Sequence, residues 1–149
     1  RLDGRLLAGE GQPQGGVTER TMAGQGRLTG FSAVFTVRDV AASLAFYVDR
    51  LGFSVQFRMG EPPTYAIIER DTVSLHLMPA SQDAAGLGTS SIYVYVDNVD
   101  AVHAGLVAMG CPIEIAPEDF SYGMRETSVR DPDRNRITFG AEVRPSAMA

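Results

Sequence analysis

Two stretches of this chain carry the same pattern in the same order, and that repetition limits its possible folds more than any other feature. Val37-Arg38-Asp39-Val40-Ala41-Ala42 is answered by Val96-Asp97-Asn98-Val99-Asp100-Ala101, and Leu51-Gly52 by Met109-Gly110. The second copy has one residue fewer between these landmarks. Each block reads as the end of a strand, a capping side chain, an amphipathic helix and a glycine stop. A unit this small cannot bury its apolar face alone, so two copies predict two units packed together.

The pattern around the repeat supplies the remaining elements. Phe31 to Arg38 alternates as a strand, with Ala33, Phe35 and Val37 on one face and Ser32, Val34 and Thr36 on the other. Asp39 caps a helix whose stripe is Val40, Leu44, Tyr47 and Leu51. Three strand-like runs follow, Phe53 to Met59, Thr64 to Glu69 and Thr72 to Met78. After a polar loop, Ser90 to Val96 alternates, Asn98 caps a helix with stripe Val99, Val102, Leu106 and Met109, and strands are expected at Cys111–Ala116, Gly123–Arg130 and Arg136–Gly140. The fold class is therefore α+β: two βαβββ modules forming curved, cleft-enclosing mixed sheets with the helices on the outer face.

Residues 1–29 are expected to form a disordered or extension tail, because they are glycine-rich and show no apolar period. The first methionine is Met22, so residues 1–21 read as an upstream extension. The domain is placed at 30–142, with halves 31–78 and 90–140, and residues 143–149 as a C-terminal tail. A net charge of -5 argues against nucleic acid and suits a cationic ligand. No run is long enough to span a membrane. The single cysteine, Cys111, rules out an intramolecular disulfide and reads as a small apolar residue. A reducing cytoplasm is the expected location.

At this point the motifs resemble the vicinal-oxygen-chelate superfamily of glyoxalases, bleomycin-resistance proteins and dioxygenases. Val37-Arg38-Asp39-Val40, Phe46-Tyr47 and Leu51-Gly52-Phe53 resemble the opening of such a domain. So does Tyr122-Gly123-Met124-Arg125-Glu126, followed by Val129-Arg130-Asp131-Pro132-Asp133 and Asn135. Leu75-His76-Leu77 is similar to the fourth strand of bleomycin-resistance proteins. One departure is Arg134, where the family usually carries glycine. The resemblance covers roughly residues 31–141 and implies a homodimer of paired modules.

The superfamily's metalloenzymes take ligands from the first, fourth, fifth and eighth strands. Those positions fall here on Ser32, His76, Ser91 and Thr138. A catalytic divalent ion needs about three strong ligands, so one histidine with three hydroxyls predicts no metal and no other cofactor. His103, on the second helix, reads as a partly exposed boundary residue.

Candidate ligand-binding residues are Phe57, Tyr65, His76, Ser91, Tyr93, Tyr122 and Met124. Phe57, Tyr65 and Tyr122 match the positions where bleomycin-resistance proteins stack aromatics on their flat cationic ligand. Ser91, Tyr93 and Tyr95 face the cleft by strand parity, as does His76, opposite Leu75 and Leu77. Each of these aromatics also fits ordinary core packing, and His76 a structural hydrogen bond. No phosphate loop, nucleophile elbow or zinc-protease helix is present. The first expectation is metal-independent sequestration of an aromatic or cationic compound, as in antibiotic resistance. The alternative is a glyoxalase-like lyase or isomerase using His76. A third possibility is reuse of the fold as an interaction module.

Overall fold

The computed structural model describes residues 24–143. The expected extension at residues 1–21 lies outside them. Residues 24–30 carry no helix or strand and belong to a unit distinct from Phe31–Ala149, which holds both modules.

The first module comprises β1 (Ala33–Val37), α1 (Val40–Leu51), β2 (Ser54–Met59), β3 (Tyr65–Arg70) and β4 (Val73–Pro79). The second comprises β5 (Ser91–Tyr95), α2 (Val99–Ala108), β6 (Ile115–Asp119), β7 (Met124–Arg130) and β8 (Arg136–Glu142). Each sheet is four-stranded and mixed, ordered β1-β4-β3-β2 and β5-β8-β7-β6. β1 and β4 run parallel, as do β5 and β8, and the other pairs are antiparallel. The α+β fold of two βαβββ modules is thus present.

The helices start and stop where the local chemistry directs. Asp39 accepts a 3.0 Å bond from the Ala42 amide, and Asn98 does the same for Ala101. Gly52 ends α1 at φ 73°, a left-handed conformation that costs glycine little. One strand begins later than its sequence predicts. Cys111–Glu114 precede β6 rather than form its start. The Cys111 amide still bonds to Leu106 O of α2, and Pro112 has no amide to offer a ladder. Pro117 is tolerated because β6 is an edge strand, irregular between Ile115 and Glu118.

A single buried cluster joins the modules on their helix sides. It takes Phe35, Val37, Tyr47, Leu75 and Leu77 from the first and Leu106, Val129, Ile137 and Phe139 from the second. The turn between β7 and β8 fastens the two. Its Asp131 carboxylate accepts from the Tyr47 hydroxyl at 3.0 Å, both residues being buried. Asn135 donates to Asp131 and to Thr36 O, and the Arg38 amide donates to Asp133. Arg134 takes φ 72° in this turn, so it holds the left-handed conformation without the glycine usual there. Because the shared core occupies the helix sides, the opposite sheet faces both turn away from it.

Candidate functional site

Strand register sorts the site residues onto two separate concave faces. On the first module, Phe57 pairs with Ile67, Ile67 with His76 and His76 with Val34, so these four form one row across the sheet. Met59 pairs with Tyr65 in the next row. Burial follows strand parity: Leu75 and Leu77 are fully buried while Met78 and Val34 are exposed. His76 Nδ1 lies 2.5 Å from the Tyr65 hydroxyl, and the two rings meet edge to face. This face is largely apolar, and Phe57 is 49% exposed.

The second face carries different chemistry on the same frame. Tyr93 pairs with Thr138 and Thr138 with Ser128; Tyr95 pairs with Gly140, Gly140 with Glu126 and Glu126 with Glu118. The Glu126 carboxylate accepts 2.9 Å bonds from both Tyr93 and Tyr122. Desolvation first, and then the Glu126 bond, pushes the Tyr93 hydroxyl up to about 12, and the same causes raise Tyr122. Both hydroxyls therefore stay protonated as donors at neutral pH. The Tyr93 ring tip lies where any side chain on Gly140 would begin, so glycine there is what lets Tyr93 take this position. Phe120 stacks on the exposed Tyr122 ring with centroids 5.4 Å apart.

A cavity of about 650 Å³ opens on this face, lined chiefly by Tyr93, Tyr95, Tyr122, Met124, Glu126 and Glu142. A smaller one of about 220 Å³ shares Tyr122 and Glu126 and continues past Ser128 and Thr138 to Arg136. The structure therefore brings Tyr93, Tyr122 and Met124 together and keeps Phe57, Tyr65 and His76 together on the other module. Ser91 lies two residues before Tyr93, beside Arg136. Glu126 was not singled out by sequence reasoning, although alternation along β7 puts it on the same face as Ser128.

The superfamily's metal positions do not suit an ion. The Ser32 hydroxyl is bonded to Ser74 at 2.9 Å, and His76 Nδ1 is engaged by Tyr65. Ser91 and Thr138 are neutral hydroxyls on the other module's face. Among the described residues no group of three or more His, Cys, Asp or Glu is arranged to hold a metal. A set of one imidazole and three alcohols is too weak for a transition ion in water. His103 is half-buried on α2, away from either concave face.

Two four-stranded mixed sheets, each carrying one helix, define the class of paired βαβββ-module proteins. The sequence matches the Glyoxalase/Bleomycin resistance protein/Dioxygenase superfamily over residues 31–139, and the chain belongs to that family. It is similar in structure to a glyoxalase/bleomycin resistance protein from Catenulispora acidiphila, with 27% identity, TM-score 0.61 and coverage of 74% of this chain and 96% of that one. A glyoxalase/bleomycin resistance protein/dioxygenase from Nocardioides aligns at 21% identity and TM-score 0.63, covering 87% and 95%. A bleomycin-binding protein complexed with bleomycin aligns at 20% identity and TM-score 0.62, covering 78% and 100%. No curated protein matches the sequence. No helix among the described residues is long and apolar enough to cross a membrane.

Proposed function

We propose that this protein binds and sequesters a small aromatic or cationic compound without using a metal, in the manner of bleomycin-resistance proteins. The observation that carries the reading is the pair of tyrosines donating to Glu126 in the lining of an open cavity. Tyrosine faces attract flat and cationic groups, and a fixed carboxylate gives them a charge partner. Phe57 and Tyr65 extend the aromatic character on the first module's face, and Ser91 and Met124 border the second.

The shared core takes the helix sides of both sheets and leaves their other faces open, so a closed cleft needs the face of a second copy. The expected assembly is a homodimer with two equivalent clefts, and light scattering at micromolar concentration checks it: a monomer removes the pairing. Sequestration is tested by a thermal-shift screen of aromatic amines and glycopeptide-type drugs, with and without chelator, because a ligand raises stability by mass action. Hits indifferent to chelator support the reading. A full equivalent of tightly held metal, or an activity abolished by chelator, returns the chain to the metalloenzymes.

A second reading has its own observation, the short Tyr65–His76 contact. A histidine held through Nδ1 is oriented as a proton donor or acceptor for a lyase or isomerase. Turnover of a 2-oxoaldehyde hemithioacetal that is lost in His76→Gln but retained in Tyr122→Ala would favour it.

A further inference from the structure

The second module's concave face is electrically two-ended. At the start of β8, Arg136 pairs with Arg130 in register, and both guanidiniums share one carboxylate, Glu114. Arg136 uses Nε and Nη2 on Glu114, at 3.1 Å each. Arg130 uses Nε on Glu114 and Nη1 on Arg134 O. One nitrogen of each guanidinium lies outside this network, and three charged groups leave a net positive charge.

Four residues along β8, roughly 13 Å at strand spacing, the sign reverses. Gly140 lies between Glu126 and Tyr95, and Glu118 stands directly opposite Glu126. Like charges facing each other across a ladder are unfavourable unless something positive joins them. Tyr93 and Tyr122 supply neutral donors to Glu126, not a countercharge. Between the two ends the lining is Thr138, Thr127 and Ser128, whose hydroxyl donates to Glu114 at 3.2 Å, with Ile115 and Phe120 beside them. The cavity of about 220 Å³ is continuous from Arg136 to Glu126 and Tyr122, so one molecule can reach both ends.

We propose that this face takes a zwitterionic, peptide-like ligand, with its anionic group at Arg136 and Arg130 and its protonated amine at Glu126. This rests on the reading of the concave faces as ligand surfaces and narrows the class from aromatic or cationic to doubly charged. A net-negative protein would draw in a simple cation from many sides. The paired arginines add a requirement that a simple cation does not meet. A tripeptide in extended form places its termini about 10 Å apart, and the long Glu126 and Arg136 side chains can close the remaining gap of about 3 Å to the strand spacing.

The experiment uses the full chain and four probes: Gly-Tyr-Gly, its N-acetyl form, its C-terminal amide and the doubly blocked form. Binding is read by NMR from the backbone amides of the strands and the Nε–H groups of Arg130 and Arg136. Gly-Tyr-Gly should bind, and blocking either terminus should weaken binding about tenfold, the scale for losing one hydrogen-bonded charge pair. In Glu126→Gln the free peptide should lose as much as acetylation costs, while the acetylated peptide should lose nothing further. Arg136→Gln should do the same for the amide. Each variant's spectrum and melting point report whether it still folds.

Equal binding of all four peptides overturns the two-charge assignment, and so does the absence of any shift at millimolar concentration. Indole, a neutral aromatic probe, separates this failure from failure of the underlying reading. If indole moves Tyr93 and Tyr122 where the peptides do not, the face remains a ligand surface without a preference for zwitterions. If indole is silent as well, both readings fall.

Discussion

The two modules share a strand order and a register, yet they divide the work of the protein differently. The first supplies most of the shared core: α1 buries Val40, Ser43, Leu44, Tyr47 and Leu51, whereas α2 buries only Val99 and Leu106. Its open face mixes apolar Val34, Phe57, Ile67 and Met78 with the Tyr65–His76 and Ser32–Ser74 hydrogen-bonded pairs and Glu69. On the second module that face carries tyrosines, carboxylates and arginines. Aligned by the repeat, buried Leu44 stands where half-buried His103 does, and Tyr47 where Leu106 does. A βαβββ frame evidently tolerates either chemistry on its open side, because alternate strand residues face the core independently of their neighbours. Core packing constrains one parity of β1, β3 and β4 and leaves the other free to vary.

The sharpest way to break this comparison is at the equivalent helix positions. Tyr47→Ala should destabilise the protein by about 3–5 kcal/mol, at the upper end of large-to-small core changes, measured by urea unfolding. Leu106→Ala should cost less, about 2–4 kcal/mol. Tyr47→Phe isolates the inter-module hydrogen bond and should cost about 1–3 kcal/mol, since it strips a buried carboxylate of a donor. Burial chiefly raises the Asp131 pKa, with bonds from Asn135 and Tyr47 opposing it. If Leu106→Ala proves the more damaging, the first module is not the dominant contributor to the core.

The next prediction concerns the faces. Once a ligand is in hand, Tyr122→Ala should weaken its affinity by about 1–3 kcal/mol, the range for losing one aromatic stack, by calorimetric titration. Phe57→Ala should weaken it as well if the partner's first module closes the cleft. An unchanged affinity in Phe57→Ala would confine recognition to the second module and sharpen the division further. Gly140→Ala should mimic part of the Tyr122 loss by displacing Tyr93 from Glu126.

Acid should act mainly on the second module. The Arg136 and Arg130 guanidiniums hold the Glu114 carboxyl down at about 2, below its ordinary 4.5. A depressed carboxylate stabilises the fold above its unfolded pKa and loses that contribution as pH falls through the folded value. Stability should therefore drop between about pH 4.5 and 2, by up to about 1 kcal/mol after solvent screening. Glu114→Gln should flatten that part of a pH–melting curve. The smallest effect is expected at Arg134. Arg134→Gly relieves a left-handed residue but frees the unfolded chain, so a net gain of about 0.5 kcal/mol is expected, read as a small rise in melting temperature.

Much of this was legible in the residues. The repeat announced two modules, Asp39 and Asn98 marked the helix starts, and strand parity placed Val34, His76, Tyr93 and Tyr95 on the open faces. These are short-range properties, set by periods of two and 3.6 residues and by the backbone needs of caps and turns. The late start of β6 escaped that logic because apolar residues at Cys111 and Ile113 read as a strand, while Pro112 and the helix-terminal bond to Leu106 withhold the chain from the ladder.

What only the tertiary structure decided is which distant side chains meet. Tyr47 and Asp131 are 84 residues apart, and Tyr93 and Glu126 are 33 apart, yet each pair shares a hydrogen bond. Glu126 could not be recognised as the shared acceptor of Tyr93 and Tyr122 until β5 and β7 were seen to flank β8 with glycine at position 140. Periodicity says which way a residue points. Its partner depends on strand order, register and the space left by neighbours, and those follow from packing the whole chain at once.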